Sequence, residues 1–223
     1  MAVAKKTTKK YYFTVEGQTE FWYLKWLQDT INKQDNAECK VSFDCKVEKN
    51  PYKRIKSLSI TQSTNIYHLY DYESNSNETA FQNTLSNMKK AESSGKSVRC
   101  KLSYSNLSFD LWILLHKVNA YNCVSNCGCY LKLLQQNFKC NFASMKEFKE
   151  EKHFKQCLNQ LTLLDVKEAI RRAKYIHQKH ILDCHTLQQI GKYAYYKENP
   201  ALNVHEIIEK ILIECGLIGK NEI

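Results

Sequence analysis

Three carboxylates, set at two points of the chain, are of the type that holds a hard divalent ion. They are Glu16, in Val15-Glu16-Gly17, and the pair Asp71 and Glu73, in Leu69-Tyr70-Asp71-Tyr72-Glu73. Magnesium takes oxygen ligands in near-octahedral geometry and usually retains several waters. Residues two apart on a strand project to the same side, so Asp71 and Glu73 are expected to reach one ion, with Glu16 completing the site from a neighbouring strand. Such an ion polarises a phosphoryl oxygen, positions a water nucleophile and stabilises a leaving oxyanion. Glu20, one helical turn after Glu16, is placed to join a second metal position or to act as general base. Asp110 is a further candidate, as a ligand or as the partner of a basic group. A D-x-E pair by itself often only decorates a loop; the combination of strand-Glu-Gly with a later strand-Asp-x-Glu is more specific.

The elements that must position these groups are legible from periodicity. Tyr11-Tyr12-Phe13-Thr14-Val15 is aromatic and β-branched and reads as a buried strand. Residues 41–47 alternate with period two, residues 65–70 form a third strand, and residues 98–104 a fourth. Helical faces appear between them: Phe21, Leu24, Leu27 and Ile31 after the first strand, Ile55 and Leu58 in residues 52–63, and Phe81, Leu85 and Met88 in residues 78–95. Alternation of strand and helix predicts an α/β fold, a mainly parallel four-stranded sheet flanked by helices. Open sheets of this kind carry function at the carboxyl ends of their strands. Glu16 follows the first strand, and Asp71 and Glu73 end the third.

Residues 1–9 read as a disordered basic lead-in, 10–105 as the α/β core, and 106–223 as a helical extension packed on that core. In the extension, residues 109–116 are apolar nearly all round and should be buried. Residues 145–161 and 165–180 look amphipathic, the second opened by Asp165 with Glu168 three residues on, and residues 203–215 form a last helix with Gly216 beyond its end.

Composition narrows the class. With 43% hydrophobic residues in 223, the chain can bury a full core. No apolar run approaches the roughly 18–20 residues that span a bilayer, so no membrane partner is expected and the cytoplasm is the expected compartment. Ten cysteines in such a chain read as reduced, mostly buried thiols. The cluster Cys123, Cys127, Cys129 and Cys140 departs from the paired Cys-x-x-Cys knuckles of zinc sites, which favours incidental cysteines over zinc. Formal charge of +10 favours polyanionic partners. Lys167, Arg171, Arg172 and Lys174 give one helix a basic face, and Tyr193, Tyr195 and Tyr196 follow it. Rings interleaved with cations suit looped or single-stranded nucleic acid, against the simpler reading of a solvated face and packed rings. His116 is better read as a hydrogen-bonded core histidine than as a general base, and Lys101 as facing solvent.

Four stretches also resemble a known family. Val15-Glu16-Gly17-Gln18-Thr19-Glu20 looks like the first TOPRIM motif, and Leu69 to Glu73 like its D-x-D motif, with Glu73 at the second aspartate. Ser105-Asn106-Leu107-Ser108-Phe109-Asp110-Leu111-Trp112-Ile113-Leu114-Leu115-His116 is similar to the S-N-P-x-F-E-x-W-L-L-L-H stretch of the RloB family, with Leu107 at the proline and Asp110 at the glutamate. Asn199-Pro200-Ala201-Leu202-Asn203-Val204-His205 resembles that family's N-P-S-T-x-V-H segment. The resemblance implies a TOPRIM-like fold and a Mg2+- or Mn2+-dependent nuclease acting on DNA or RNA in bacterial anti-phage defence, often encoded beside an ATPase partner. A non-cleaving nucleic-acid-binding or sensor subunit of such an ATPase complex is the alternative. Nucleotidyl transfer ranks last, because no nucleoside-triphosphate loop is recognisable.

Overall fold

A computed structural model describes residues 6–73, 77–121, 127–220 and 222. Four strands are mutually parallel: β1 (Thr8–Val15), β2 (Lys40–Val47), β3 (Thr64–Asp71) and β4 (Val98–Asn106). A short fifth strand, β7 (Ala201–Leu202), pairs antiparallel with β4, so the order is β2-β1-β3-β4-β7. The sheet is therefore five-stranded, not four. A two-residue strand with no alternation to display leaves no periodic signal, which is why β7 escapes a pattern reading. β1 also begins at Thr8, inside the stretch expected to be disordered, because the backbone of Thr8 to Lys10 pairs with Lys40 to Ser42 whatever its polar side chains do.

Two apolar layers sandwich the sheet. Tyr11, Phe13 and Val15 of β1 face a large cluster built with α1 (Gln18–Asn32), α4 (Asp110–Leu115), α5 (Cys127–Phe138), α6 (Met145–Phe148), α7 (Glu151–Leu158), α8 (Leu163–Leu182) and α9 (Val204–Glu214). Ile66, Cys100, Leu102 and Tyr104 face the other way, onto α2 (Pro51–Ser57), α3 (Glu78–Glu92) and a hairpin of β5 (Leu187–Ile190) and β6 (Tyr193–Tyr196). The period-two exchange of faces along each strand puts the two layers on opposite sides. The hairpin turns through Gly191 at φ +61°, a region glycine enters without steric cost.

No break separates the two halves near residue 105: β4 runs through Asn106, and the larger cluster draws on both sides of that point. The later part is not wholly helical, since it contributes three strands. Two of its helices also differ from the periodicity reading. The amphipathic stretch 145–161 is broken into α6 and α7 at Lys149 and Glu150. α8 starts at Leu163 rather than at Asp165, with Thr162 as cap and Asp165 closing the capping box. Gly216, at φ +67°, ends α9 with bonds from Leu217 N–H to Leu212 O and from Gly216 N–H to Ile213 O, the double closure of a Schellman turn. Among the described residues, no helix is long and apolar enough to cross a membrane.

Seven described cysteines are free thiols, five of them buried. Cys129 is disulfide-bonded, which corrects the expectation of reduced thiols throughout; sequence spacing does not reveal which sulfurs approach within bonding distance. Cys123 and the Cys127 side chain lie outside the described residues.

Candidate active site

The carboxyl edge of the sheet gathers four acids. Glu16 leaves β1, Glu20 lies in the first turn of α1, Asp71 ends β3, and Asp110 opens α4 just beyond β4. Glu16 Oε2 accepts the Asp71 backbone N–H at 3.2 Å, which ties the first two strand ends together. Glu20 is buried, and its Oε2 accepts the Thr19 hydroxyl at 2.9 Å. Gly17 makes room for it: a Cβ there would stand 3.1 Å from Glu20 Oε2. Asp110 is buried too; its Oδ2 accepts Ser108 Oγ–H at 2.9 Å, while its Oδ1 is buried with no hydrogen-bond partner.

Two lysines face this group. Lys49, just past β2, contacts Glu16 Oε1 at 2.8 Å. Lys149, in the break between α6 and α7, contacts Asp110 Oδ2 at 2.9 Å. The sequence singles out neither. Lys149 sits among Lys146, Lys152 and Lys155, and only the helix break distinguishes it.

The electrostatics follow from crowding like charges in a partly dry place. Burial, with the nearby charges of Glu16 and Asp110, raises the Glu20 carboxyl above its ordinary range, against the opposing effect of its own backbone N–H and Thr19. Asp71 is pushed well up by desolvation and by Glu20, Glu16 and Asp110, with Lys149 acting in the other direction. Burial disfavours the Lys149 ammonium, yet the charge and hydrogen bond of Asp110 more than offset it, and the net shift is upward.

Glu73 stands apart from the four. The strand ends at Asp71, and Glu73 lies beyond it at φ +52°, exposed, with its carboxylate taken by Asn77 Nδ2. Alternation along a strand therefore does not bring it beside Asp71. The segment stays pinned to β4 through Tyr72 N–H to Ser105 O at 2.8 Å and Glu73 N–H to Leu107 O at 3.0 Å.

α4 holds Asp110 in place by burying every one of its six residues. Tyr23 of α1 packs edge-on against Phe109 and Trp112 and bonds His116 Nε2 at 3.1 Å, while His116 Nδ1 bonds Trp112 O at 2.8 Å. Both ring nitrogens are thus used inside the core, and burial lowers the His116 pKa to about 4. Lys101 is exposed.

On α8 four of the basic residues already have an acid: Lys167 with Glu222 at 3.5 Å, Arg171 and Arg172 with Glu168 at 2.8 and 3.5 Å, and Lys174 with Glu209 at 2.5 Å. Arg172 also donates to Leu115 O at 2.6 Å. Tyr193, Tyr195 and Tyr196 are buried, and Tyr195 packs on Phe81 and Tyr72, so these rings present no stacking platform. A tyrosine run reads the same in sequence whether packed or exposed.

Residues 11–211 match the sequence profile of the family described as RloB-like protein. The chain belongs to that family. The RloB-like match takes in all four acids, both lysines and the β7 edge strand. No curated protein sequence and no solved structure matches.

The donor set suits a hard ion. Among the described residues, no three of these carboxylates bring oxygens within 4.8 Å of one another. Magnesium needs only one or two carboxylates beside its waters and substrate oxygens, so an open acidic site is compatible with it. The unpartnered buried Asp110 Oδ1, together with carboxyls whose ionisation is suppressed by burial and by their neighbours, describes a place that a cation would relieve.

Proposed function

We propose that this chain is a TOPRIM-type, metal-dependent phosphodiesterase that cleaves nucleic acid, with Mg2+ or Mn2+ held by Glu16 and Asp71 and flanked by Glu20 and Asp110. The observation that carries this reading is the placement of four acids at one sheet edge, close enough to shift one another's ionisation, with one buried oxygen of Asp110 left unpartnered. The parallel order of β2-β1-β3-β4, with acids leaving β1 and β3, supports the TOPRIM comparison. The bound ion would supply Lewis-acid activation of a phosphoryl oxygen and of water.

The chain's own groups divide the remaining work. Glu16 and Asp71 would hold the ion from adjacent strand ends. Glu20, whose carboxyl is raised by burial, is the group placed to take up or give a proton at Oε1 or Oε2. Lys149 brings an ammonium to the same edge, where it can stabilise charge growing on the phosphate. Lys49, exposed beside Glu16, suits a contact to a flanking phosphate. The basic face of α8 is a secondary contact: exposed ion pairs are worth only about 0–1 kcal/mol and exchange readily for phosphate oxygens. In this reading the partners are DNA or RNA and an ATPase subunit, and the setting is anti-phage defence in the cytoplasm.

The test is cleavage of single-stranded DNA, duplex DNA and total tRNA by purified protein with Mg2+, Mn2+ or EDTA, beside a Glu16→Gln, Asp71→Asn variant. Metal-dependent cleavage lost in the variant supports the proposal and names the substrate class. The Lys149–Asp110 pair favours a second reading, a binding or sensor subunit, because it gives the acids a counter-charge without any metal. Retention of nucleic acid without cleavage, unaffected by EDTA, would select that reading.

A further inference from the structure

A second set of side chains able to ligate a metal, sharing no residue with the four acids, lies at the C-terminal end of α8. His180, in the last turn of α8, and His185, just after it, face each other with their Nδ1 atoms 2.8 Å apart. Glu198, two residues after β6, completes a set in which one ligand atom from each residue lies within 4.8 Å of the others. The three residues come from either side of the β5–β6 hairpin.

Three details go beyond proximity. His180 Nε2 is 2.7 Å from Pro200 O, and a carbonyl oxygen can only accept, so the ring hydrogen sits on Nε2. In the neutral ring this leaves the Nδ1 lone pair directed at His185. A backbone carbonyl on the far nitrogen is the usual outer support of a ligating histidine, fixing both tautomer and ring plane. Tyr196 fixes the same ring again, stacked at 4.3 Å and 9°. Finally, Glu198 Oε2 is buried with no hydrogen-bond partner, an arrangement that costs free energy unless a cation or donor meets it.

We propose that His180, His185 and Glu198 form a binding site for a zinc-class divalent ion that clamps the β5–β6 hairpin to the end of α8. Imidazole nitrogens select zinc and its neighbours, whereas magnesium prefers oxygen alone. Three protein ligands leave a fourth tetrahedral position for water. His185 and Glu198 are only half-buried, so an ion has a way in from solvent. The clamp is structural: it joins residues 180–185 to residue 198, immediately before the segment that carries β7. It is independent of the acidic edge, which offers different donors to a different class of ion.

The experiment uses the full chain, stripped with EDTA and dialysed, then titrated with Zn2+ and with Co2+ as a spectroscopic stand-in. His185→Ala and Glu198→Gln are compared with the parent chain, and Cys184→Ser controls for the exposed thiol beside His185. Expected is uptake of about one Zn2+ per chain, a tetrahedral Co2+ spectrum and a zinc-dependent rise in Tm, all retained by C184S. Both ligand variants, shown folded by circular dichroism, should lose at least about 100-fold in affinity, since even outer-shell partners are worth 10–100-fold. No uptake by the parent chain overturns the proposal, as does undiminished uptake by H185A and E198Q. Excess Mg2+ should leave the bound Zn2+ in place; displacement by Mg2+ would also overturn it.

Discussion

Lys149 Nζ lies 2.9 Å from Asp110 Oδ2, so the break between α6 and α7 is joined to the first residue of α4. One end of this pair is buried and the other is half open to water. In the proposed site the lysine and a cation would serve the same acids, and this makes the removal of Lys149 informative. Lys149→Met should lower the unfolding free energy in EDTA by about 1–2 kcal/mol, below the 3–5 kcal/mol of a fully buried pair because the ammonium is partly solvated. Added Mn2+ should restore part of the loss. Urea unfolding with and without metal measures both, and a loss that metal leaves unchanged would count against a cation site at this edge.

The raised carboxyls make stability depend on pH in a definite direction. Glu20 and Asp71 have folded pKa values above their unfolded ones, so the native state binds more protons than the unfolded state in the window between them. In EDTA, stability should therefore fall as pH rises from about 4, the ordinary carboxylate value, through the raised values. Glu20→Gln should remove part of that slope and be more stable relative to the parent chain at high pH than at low pH. Denaturation curves across pH test this; a parent chain that gains stability over that window contradicts it.

Metal ligation should separate Asp71 from Glu73. Glu16→Gln, Asp71→Asn and Asp110→Asn should each reduce metal-dependent cleavage by more than about 100-fold, given that outer-shell partners alone are worth 10–100-fold. Glu73→Gln should cost less than about tenfold, because that carboxylate is exposed beyond the strand and engaged with Asn77. Initial rates at saturating Mn2+ decide the matter. Equal losses at residues 71 and 73 would place both on the ion.

His116 belongs to the core. Tyr23→Phe removes the hydroxyl that meets His116 Nε2, leaving a buried acceptor unpaired, and should destabilise by about 1–3 kcal/mol. Cleavage per folded molecule should stay within about twofold, well under the tenfold that roughly 1.36 kcal/mol of activation energy produces, because Tyr23 and His116 bond each other and Trp112 inside the core. A large loss of rate with unaltered stability would give the histidine a chemical part.

The four parallel strands were legible because each is long enough to show period two or a buried apolar run, and Glu16, Glu20, Asp71 and Asp110 stood out because they fall just at or after the ends of those strands. Glu73 misled for a physical reason: the spacing rule assumes continuing strand, and the backbone turns to positive φ at that residue. Lys149 was invisible, since four lysines in residues 146–155 look alike until the helix breaks at one of them. The histidine pair and Glu198 were equally hidden. Their spacing follows no metal motif, and only the return of the chain after β6 brings them together.

The carboxyl end of β4 is fastened by residues made well after it. Asn106 Nδ2 donates to Lys197 O at 2.8 Å, Tyr104 N–H donates to Asn203 Oδ1 at 2.7 Å, and β7 pairs with Ser105 and Asn106. All four acids of the candidate site leave the ribosome by residue 110, yet the strand that leads into Asp110 lacks its edge partner until residues 197–203 follow. Chains emerge at about 5–20 residues per second, so a nascent chain passes through a long interval with its acids present and their scaffold unfinished. By this order of assembly the candidate site is completed only after residues 197–203 have been made.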